Sequence, residues 1–455
     1  QNPFFSVMFI SWGGMGLYRQ RLKQKTLLLV VLFGFLIFLI MPGTRKESEQ
    51  DLPEEGERLE IPKEEEEEGT VVVPEEVWEM PGADAMIRVL ILAEDGGIYH
   101  EGKELMRDYP GELQYYEEEQ GWVIVNEVPL EEYLCRVVPS EMPSTYAKEA
   151  LKAQAVCART YAVWQMREYA YPQYEAHVND SVSYQVYNQI GVQETTSQAV
   201  EETAGQIMLY EDGPVKAYYF STSCGSTTDE NIWEKGDREQ TPYIAGRRVG
   251  ESGSGRDLTD EDTFSEFIRK KHAGDLEISE PWYRWSCYIP LEQIQKNVEK
   301  WAKIRAERSQ DGILLEDGTE YVLEDVDTIG AVESAQIIAR NTGGVVQELL
   351  LTGEKGTLKV RYEYNIRLML GIPDGEIHKN DGTVANGGNL LPSGYFVMEP
   401  VQEDKAVTGY QIYGGGLGHG AGMSQNGARV LAEEGYGYDG ILQYFYHEIR
   451  LARLE

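Results

Sequence analysis

Glu141 stands between Pro139 and Pro143, just ahead of an alanine-rich stretch, in Val137 to Tyr161 (VVPSEMPSTYAKEALKAQAVCARTY). Proline fixes φ and thins out the alternatives, so a carboxylate mounted this way suits proton delivery. The plainer alternative is that it complements the positive N-terminal end of the following helix, an effect of about 0.3–1 kcal/mol. A second set lies near the C-terminus, in GGGLGHGAGMSQNGA at 414–428. Its His419 sits between glycines, on backbone that can take positive φ and let a ligand come close, or else is a buried structural histidine. Ser424 and Gln425 then open a helix. A third set, YFSTSCGSTT at 219–228, places Ser221 and Ser223 at a strand end. Hydroxyls and glycine there suit contacts to a polar ligand, although an ordinary Ser/Thr turn has the same composition. Cys224 beside Ser223 has no local histidine to activate it, so a nucleophile is set aside.

These side chains need elements to hold them. Lys148 to Tyr169 is proline-free and predicts a helix, with Ser144 or Thr145 as N-cap. On it Lys148, Lys152 and Arg159 share one stripe, and Gln154, Tyr161 and Gln165 another. Met86 to Leu92 and Trp122 to Val128 read as strands, and Pro129 to Leu134 as a short helical turn leading to Glu141. Further on, 196–204 and Leu291 to Ile304 predict helices, and 207–209 and 216–221 predict strands. Ser334 to Asn341 and Val345 to Thr352 predict a hairpin around Gly343-Gly344, followed by a strand at 356–362. Trp282, Trp285 and Trp301 are assigned to the core rather than to a sugar platform. The mixture is an α+β fold.

The formal charge of −36 argues against sequence-independent nucleic-acid binding, which depends on Lys and Arg neutralising phosphates. The basic segment 1–25 precedes an apolar run at 26–42, the pattern of an export signal or membrane anchor. The basic flank places the N-terminus in the cytoplasm and the rest outside. Residues 43–79 carry a long acidic run and predict an extended, disordered linker. Residues 80–455 then form the folded part. Cys135 and Cys157 read as buried thiols rather than as a bridge.

Glu-Met-Pro at 141–143, Glu-Ala-Leu-Lys-Ala-Gln-Ala-Val at 149–156 and Ala-Arg-Thr-Tyr-Ala at 158–162 together resemble the core motif of the SpoIID/LytB family, the stage II sporulation protein D group. Three further blocks resemble the same family: Ser181 to Tyr187, the Ser/Thr loop at 219–228, and the Gly-His-Gly run at 418–425. The resemblance covers about 129–446, with a strand-rich insertion at about 245–390. It implies that Glu141 is the catalytic acid of a peptidoglycan lytic transglycosylase, cutting between N-acetylmuramic acid and N-acetylglucosamine. It also implies substrate contacts from Lys152, Gln154, Arg159, Ser221, Ser223, His419, Ser424 and Gln425. Such an enzyme needs one carboxylate only, because the sugar's own C6 hydroxyl closes a 1,6-anhydro ring; ordinary glycosidases need two. Some members bind zinc through Cys and His near the Gln-Val-Tyr block. Here Tyr184 stands where that Cys would be, which predicts no metal and no cofactor. The family also includes enhancers of a cell-wall amidase, so a non-catalytic peptidoglycan-binding module is the alternative. A wall amidase and other engulfment proteins are the partners this implies, at the cell membrane of a spore former.

Overall fold

The structure, a computed structural model, describes residues 79–233, 241–250, 257–309, 311–315 and 329–455. The chain divides into units 1–64 and 65–455, and every described residue belongs to the second. The expected anchor at 26–42 and the linker up to residue 78 lie outside the described residues. Among the described residues no helix is long and apolar enough to cross a membrane. The fold mixes sheet with eight described α-helices, an α+β architecture.

The central helix, Lys148–Gln165, explains its own alanine content. Thirteen of its eighteen residues are buried, so it is packed all round rather than on one stripe. On one side Ala150, Ala153, Val156 and Cys157 meet Met423, Ala428 and Leu431 from the far end of the chain. On the other, Ala155, Ala158 and Ala162 meet Val137, Val138 and the strand residues Ile87 and Val89. Small side chains let both neighbours approach. The helix begins after Ala147, with no side-chain cap, which differs from the expected Ser144 or Thr145. Glu149 serves the helix start instead, complementing the dipole while its Oε2 accepts from Tyr438 N at 2.8 Å. The helix ends at Gln165 rather than Tyr169, capped by Met166.

Met86–Ile91 lies between Gly121–Pro129, antiparallel, and Val178–Asn179, parallel. Glu112–Glu118 completes this sheet on the outer side, inside a stretch too mixed to assign from sequence. The expected helical turn after Pro129 is a full helix, Leu130–Glu141, that runs through Pro139. Proline is tolerated there because only one intrahelical bond is lost near the C-terminal end, and Ser140 Oγ donates to Arg136 O at 2.7 Å. Glu141 is therefore the last residue of a helix and not part of a separate proline-bracketed segment.

The region 285–414 builds a five-stranded sheet and a four-stranded one. The expected hairpin is present as Val332–Arg340 against Val346–Gly353, and the next strand is Gly356–Arg361. Leu291–Arg308 is helical. Trp282 and Trp285 are buried, and Trp285 Nε1 donates to Gly416 O at 3.0 Å, the polar contact a buried indole needs.

The glycine run threads back into this body. Leu417 and Thr222 exchange backbone bonds of 2.8 and 3.1 Å, and Met423–Ser424 pairs in parallel with Tyr219–Phe220. Gly422 has φ +77°, and a Cβ there would stand 2.0 Å from Tyr218 O. Only glycine satisfies both conditions. Ser424 then caps the Gln425–Glu433 helix, its Oγ accepting from Gly427 N.

Candidate active site

The site is built where three elements end together: the Leu130–Glu141 helix, the Tyr219–Phe220 strand and the start of the Gln425–Glu433 helix. Glu141 is half-buried. Its Oε1 accepts from Val186 N at 2.7 Å, and the Tyr219 phenol is hydrogen-bonded to the carboxyl. Gln185 fixes that phenol. Its Nε2 donates to Tyr219 Oη at 3.2 Å and to Ala158 O at 3.2 Å, while its Oε1 accepts from Tyr133 Oη at 3.3 Å. With the Tyr219 oxygen accepting from Gln185, its O–H is left to point at Glu141. Burial pushes the Glu141 carboxyl up to about 7, against the pull of these two hydrogen bonds. Burial and the nearby Glu141 also push the Tyr133, Tyr161 and Tyr219 phenols up, so they stay neutral donors.

From the other end of the chain His419 reaches Tyr219 and Gln425 reaches the Glu141 backbone carbonyl. The His419 ring lies between backbone groups: Nε2 pairs with Tyr219 O at 3.0 Å and Nδ1 accepts from Ala421 N at 3.1 Å. Nδ1 accepting leaves the proton on Nε2. Burial holds the ring down at about 4, so it is neutral at pH 7 and clasps Tyr219 instead of moving protons. Gln425 Nε2 donates to Glu141 O at 3.1 Å and lies 3.4 Å from Gln154 Oε1. Gln154 is fully buried, and its Nε2 has no acceptor among the described residues.

Ser223 and Ser424 meet on a residue with no sequence motif, Glu277. That carboxylate is 0% exposed. It accepts from Ser223 N at 2.9 Å, from Ser424 Oγ at 2.7 Å and from Ser223 Oγ. Burial pushes it up to about 7. The cluster ties the Ser/Thr loop to the glycine run and so sets the start of the helix carrying Gln425. Ser221 remains partly exposed, with its carbonyl accepting from Asn426 N at 3.0 Å.

Two expected site residues are committed elsewhere. Arg159 is fully buried, and its Nε and Nη2 form a fork on Glu131 at 2.6 and 2.7 Å. Its other donors go to Val200 O and Gln206 O. It therefore neither pairs with Glu141 nor faces a cleft; it locks the central helix to the Leu130–Glu141 helix and the strand after Thr203. Lys152 pairs with Glu149 at 3.0 Å and Glu202 at 2.9 Å, and Lys148 pairs with Glu202, so that stripe faces the Glu194–Glu202 helix. Among the described residues no group of three or more His, Cys, Asp or Glu side chains is placed to hold a metal ion. All four cysteines are free thiols.

Residues 118–210, which hold Glu141, its partner Val186 and the surrounding Tyr133, Gln154 and Gln185, match the family model described as stage II sporulation protein. The likeness to the SpoIID family rests on this stretch. Residues 227–422 match a further model described as a domain of unknown function. The chain is similar to stage II sporulation protein D of Bacillus amyloliquefaciens, 28% identical over 348 residues, 73% of this chain and 76% of that protein. Its likeness to the Bacillus subtilis (strain 168) protein of the same name is 27% over the same length. It is also 26% identical over 315 residues to the amidase enhancer of Bacillus subtilis (strain 168). That match takes in 68% of this chain and 39% of the enhancer, so the chain spans well under half of that relative.

Within this site, sequence reasoning missed Tyr219, Gln185 and Glu277. The first two lie inside blocks singled out for other reasons, a strand end and a Gln-Val-Tyr run. Tyr219→Phe offers a direct check. The hydrogen bond from the phenol favours the charged carboxylate, so its loss should raise the Glu141 pKa further, by up to about one unit. Carboxyl-carbon NMR titration of the selectively labelled protein reads this; an unmoved or lowered value would show that the phenol does not bond the acid.

Proposed function

We propose that this protein acts on the bacterial cell wall as a peptidoglycan lytic transglycosylase, with Glu141 as the acid. The observation that carries the reading is a carboxyl at about 7, aimed by a phenol and a backbone N–H at a half-open position. A group with that value is largely protonated at mildly acidic to neutral pH and can still ionise, which is what an acid that later acts as base requires. It would protonate the glycosidic oxygen between N-acetylmuramic acid and N-acetylglucosamine. As leaving-group departure builds positive charge at C1, the ionised Glu141 would take the proton of the C6 hydroxyl, which closes the anhydro ring. Glu277 supports the one-carboxylate scheme. It is sealed from solvent by three hydrogen bonds and offers no second carboxylate to a sugar or water, which hydrolysis would need. Ser221 is the expected contact that keeps exposed surface for a sugar hydroxyl, while Gln154 and Gln425 are buried behind the acid. Ser223, Ser424 and His419 act behind them as positioning residues. Membrane attachment through 26–42, with the folded part outside the cell, completes the reading.

The relative named as an amidase enhancer favours a second reading, a peptidoglycan-binding module that stimulates a wall amidase without chemistry of its own. Mass spectrometry of purified glycan strands incubated with the full-length chain separates the two. New 1,6-anhydro ends mark the lytic enzyme, and binding with no new ends marks the module. Because Glu141 must be protonated to act, the rate of end formation is expected to fall about tenfold per pH unit once the pH is well above 7. A rate that rises through that range would reject Glu141 as the acid.

A further inference from the structure

Lys216 is only 8% exposed. Its backbone N–H donates to Tyr243 Oη at 3.0 Å, and its ammonium lies 4.7 Å from the centroid of the Trp164 ring. Among the described residues the ammonium has no carboxylate and no hydrogen-bond acceptor. The other buried cations do: Arg159 has Glu131, Arg340 has Glu261, and Arg284 has the carbonyls of Cys224 and Lys270. Carboxylates are not scarce in a chain with 77 acidic against 41 basic residues. A cation–π contact satisfies none of the ammonium's three N–H donors. The neighbouring indole repeats the shortage, since Trp164 Nε1 is buried and also lacks an acceptor among the described residues. Two adjacent donors without an oxygen call for an oxygen from outside.

Their position says what kind. Trp164 follows Tyr161 by one turn of the central helix, and the rings stack with centroids 6.5 Å apart. Tyr161 lies 5.7 Å from Tyr218, and Tyr218 lies 4.7 Å from Trp233. Lys216 sits three residues before Tyr219, whose phenol bonds Glu141. Trp164, Tyr161, Tyr218 and Trp233 therefore form a row of rings beside the ammonium, all but Tyr161 partly exposed. Ring faces stack on sugars, and an ammonium in this setting takes an anion.

We infer that Lys216 and Trp164 form a subsite of the cleft for a carboxylate carried by the bound glycan. The inference rests on the reading of Glu141 as an acid working on peptidoglycan, and adds the substrate feature that the cleft distinguishes. The carboxylate has two sources of the same chemistry: the lactyl group of a muramyl residue without peptide, or the free carboxylates of an attached stem peptide.

Calorimetric binding to the full-length chain tests this, with Glu141→Gln as background so that nothing is cut. Four probes are compared: a muramyl tetrasaccharide with free lactyl carboxylates, the same sugar methylamidated, the same sugar bearing stem peptides, and a neutral N-acetylglucosamine tetramer. The carboxylated probe from the true source should bind about tenfold or more tightly than the methylamidated one. Lys216→Met should erase that preference, Lys216→Arg should keep it, and the neutral tetramer should bind all three alike. Equal binding of carboxylated and methylamidated sugars would overturn the inference alone. So would a Lys216→Met variant that loses every probe equally. If no saccharide binds at all, the parent reading fails, and the subsite with it.

Discussion

Glu141→Gln is expected to lower the rate of anhydro-end formation by about 10²–10⁴-fold while the protein keeps its fold. The amide cannot donate a proton to the glycosidic oxygen, yet its carbonyl can still accept from Val186 N. Stability should move the other way from activity. The carboxyl sits at about 7 in the folded protein against an ordinary value of 4.5, so between those limits the folded state binds more protons than the unfolded chain. Stability is then lost as pH rises through that window. Glu277 adds to the same slope, being also at about 7. Removing the ionisable group at 141 should flatten the slope and leave the variant at least as stable as the parent at pH 8. Urea unfolding at pH 5, 6.5 and 8, beside the glycan assay, gives both readouts. A variant that retains full activity would end the acid assignment, and one that is inactive only because it has unfolded would leave Glu141 a structural residue.

Arg159→Ala should instead cost stability, by about 3 kcal/mol or more. The guanidinium is fully buried and holds Glu131 with two bonds, and its loss takes a donor from each of the Val200 and Gln206 carbonyls as well as leaving a void. Glu131 is 33% exposed, so water can rehydrate part of it, which keeps the expected loss near the lower end for a broken buried pair. Arg159→Lys keeps the charge but not the fork and should lose less. Denaturant midpoints measure both. If stability were unchanged while glycan binding disappeared, Arg159 would be a sugar contact, as its place in the motif first implied.

The elements were legible because their signals are local. The apolar alternation of Met86–Ile91 and the alanine spacing of the central helix stand in the chain itself, as do the paired strands around Gly343-Gly344. Element ends were less so. Pro139 reads as a breaker but sits in the last helical turn, where little is lost, and the cap after Pro143 was misplaced because Glu149 takes over part of a cap's work. At the site, Glu141, His419 and Gln425 announced themselves by unusual neighbours. The direction of His419 did not: only the fold shows both ring nitrogens turned to backbone. Arg159 was misjudged for the same reason, since an arginine on an alanine-rich helix reads alike whether its partner is a ligand or Glu131. Glu277 carried no signal, because three donors from segments about 50 and 150 residues away define it.

Tyr219 holds the acid with its hydroxyl and the histidine with its peptide oxygen. A single residue is thus the hinge pin between two stretches of sequence roughly three hundred positions apart. Evolutionary change on either side has to pass through it: a drift in the glycine-rich turn would retune the acidity of the distant glutamate without any contact between them. Grafting one stretch from a relative without the other would carry over the letters and lose the chemistry.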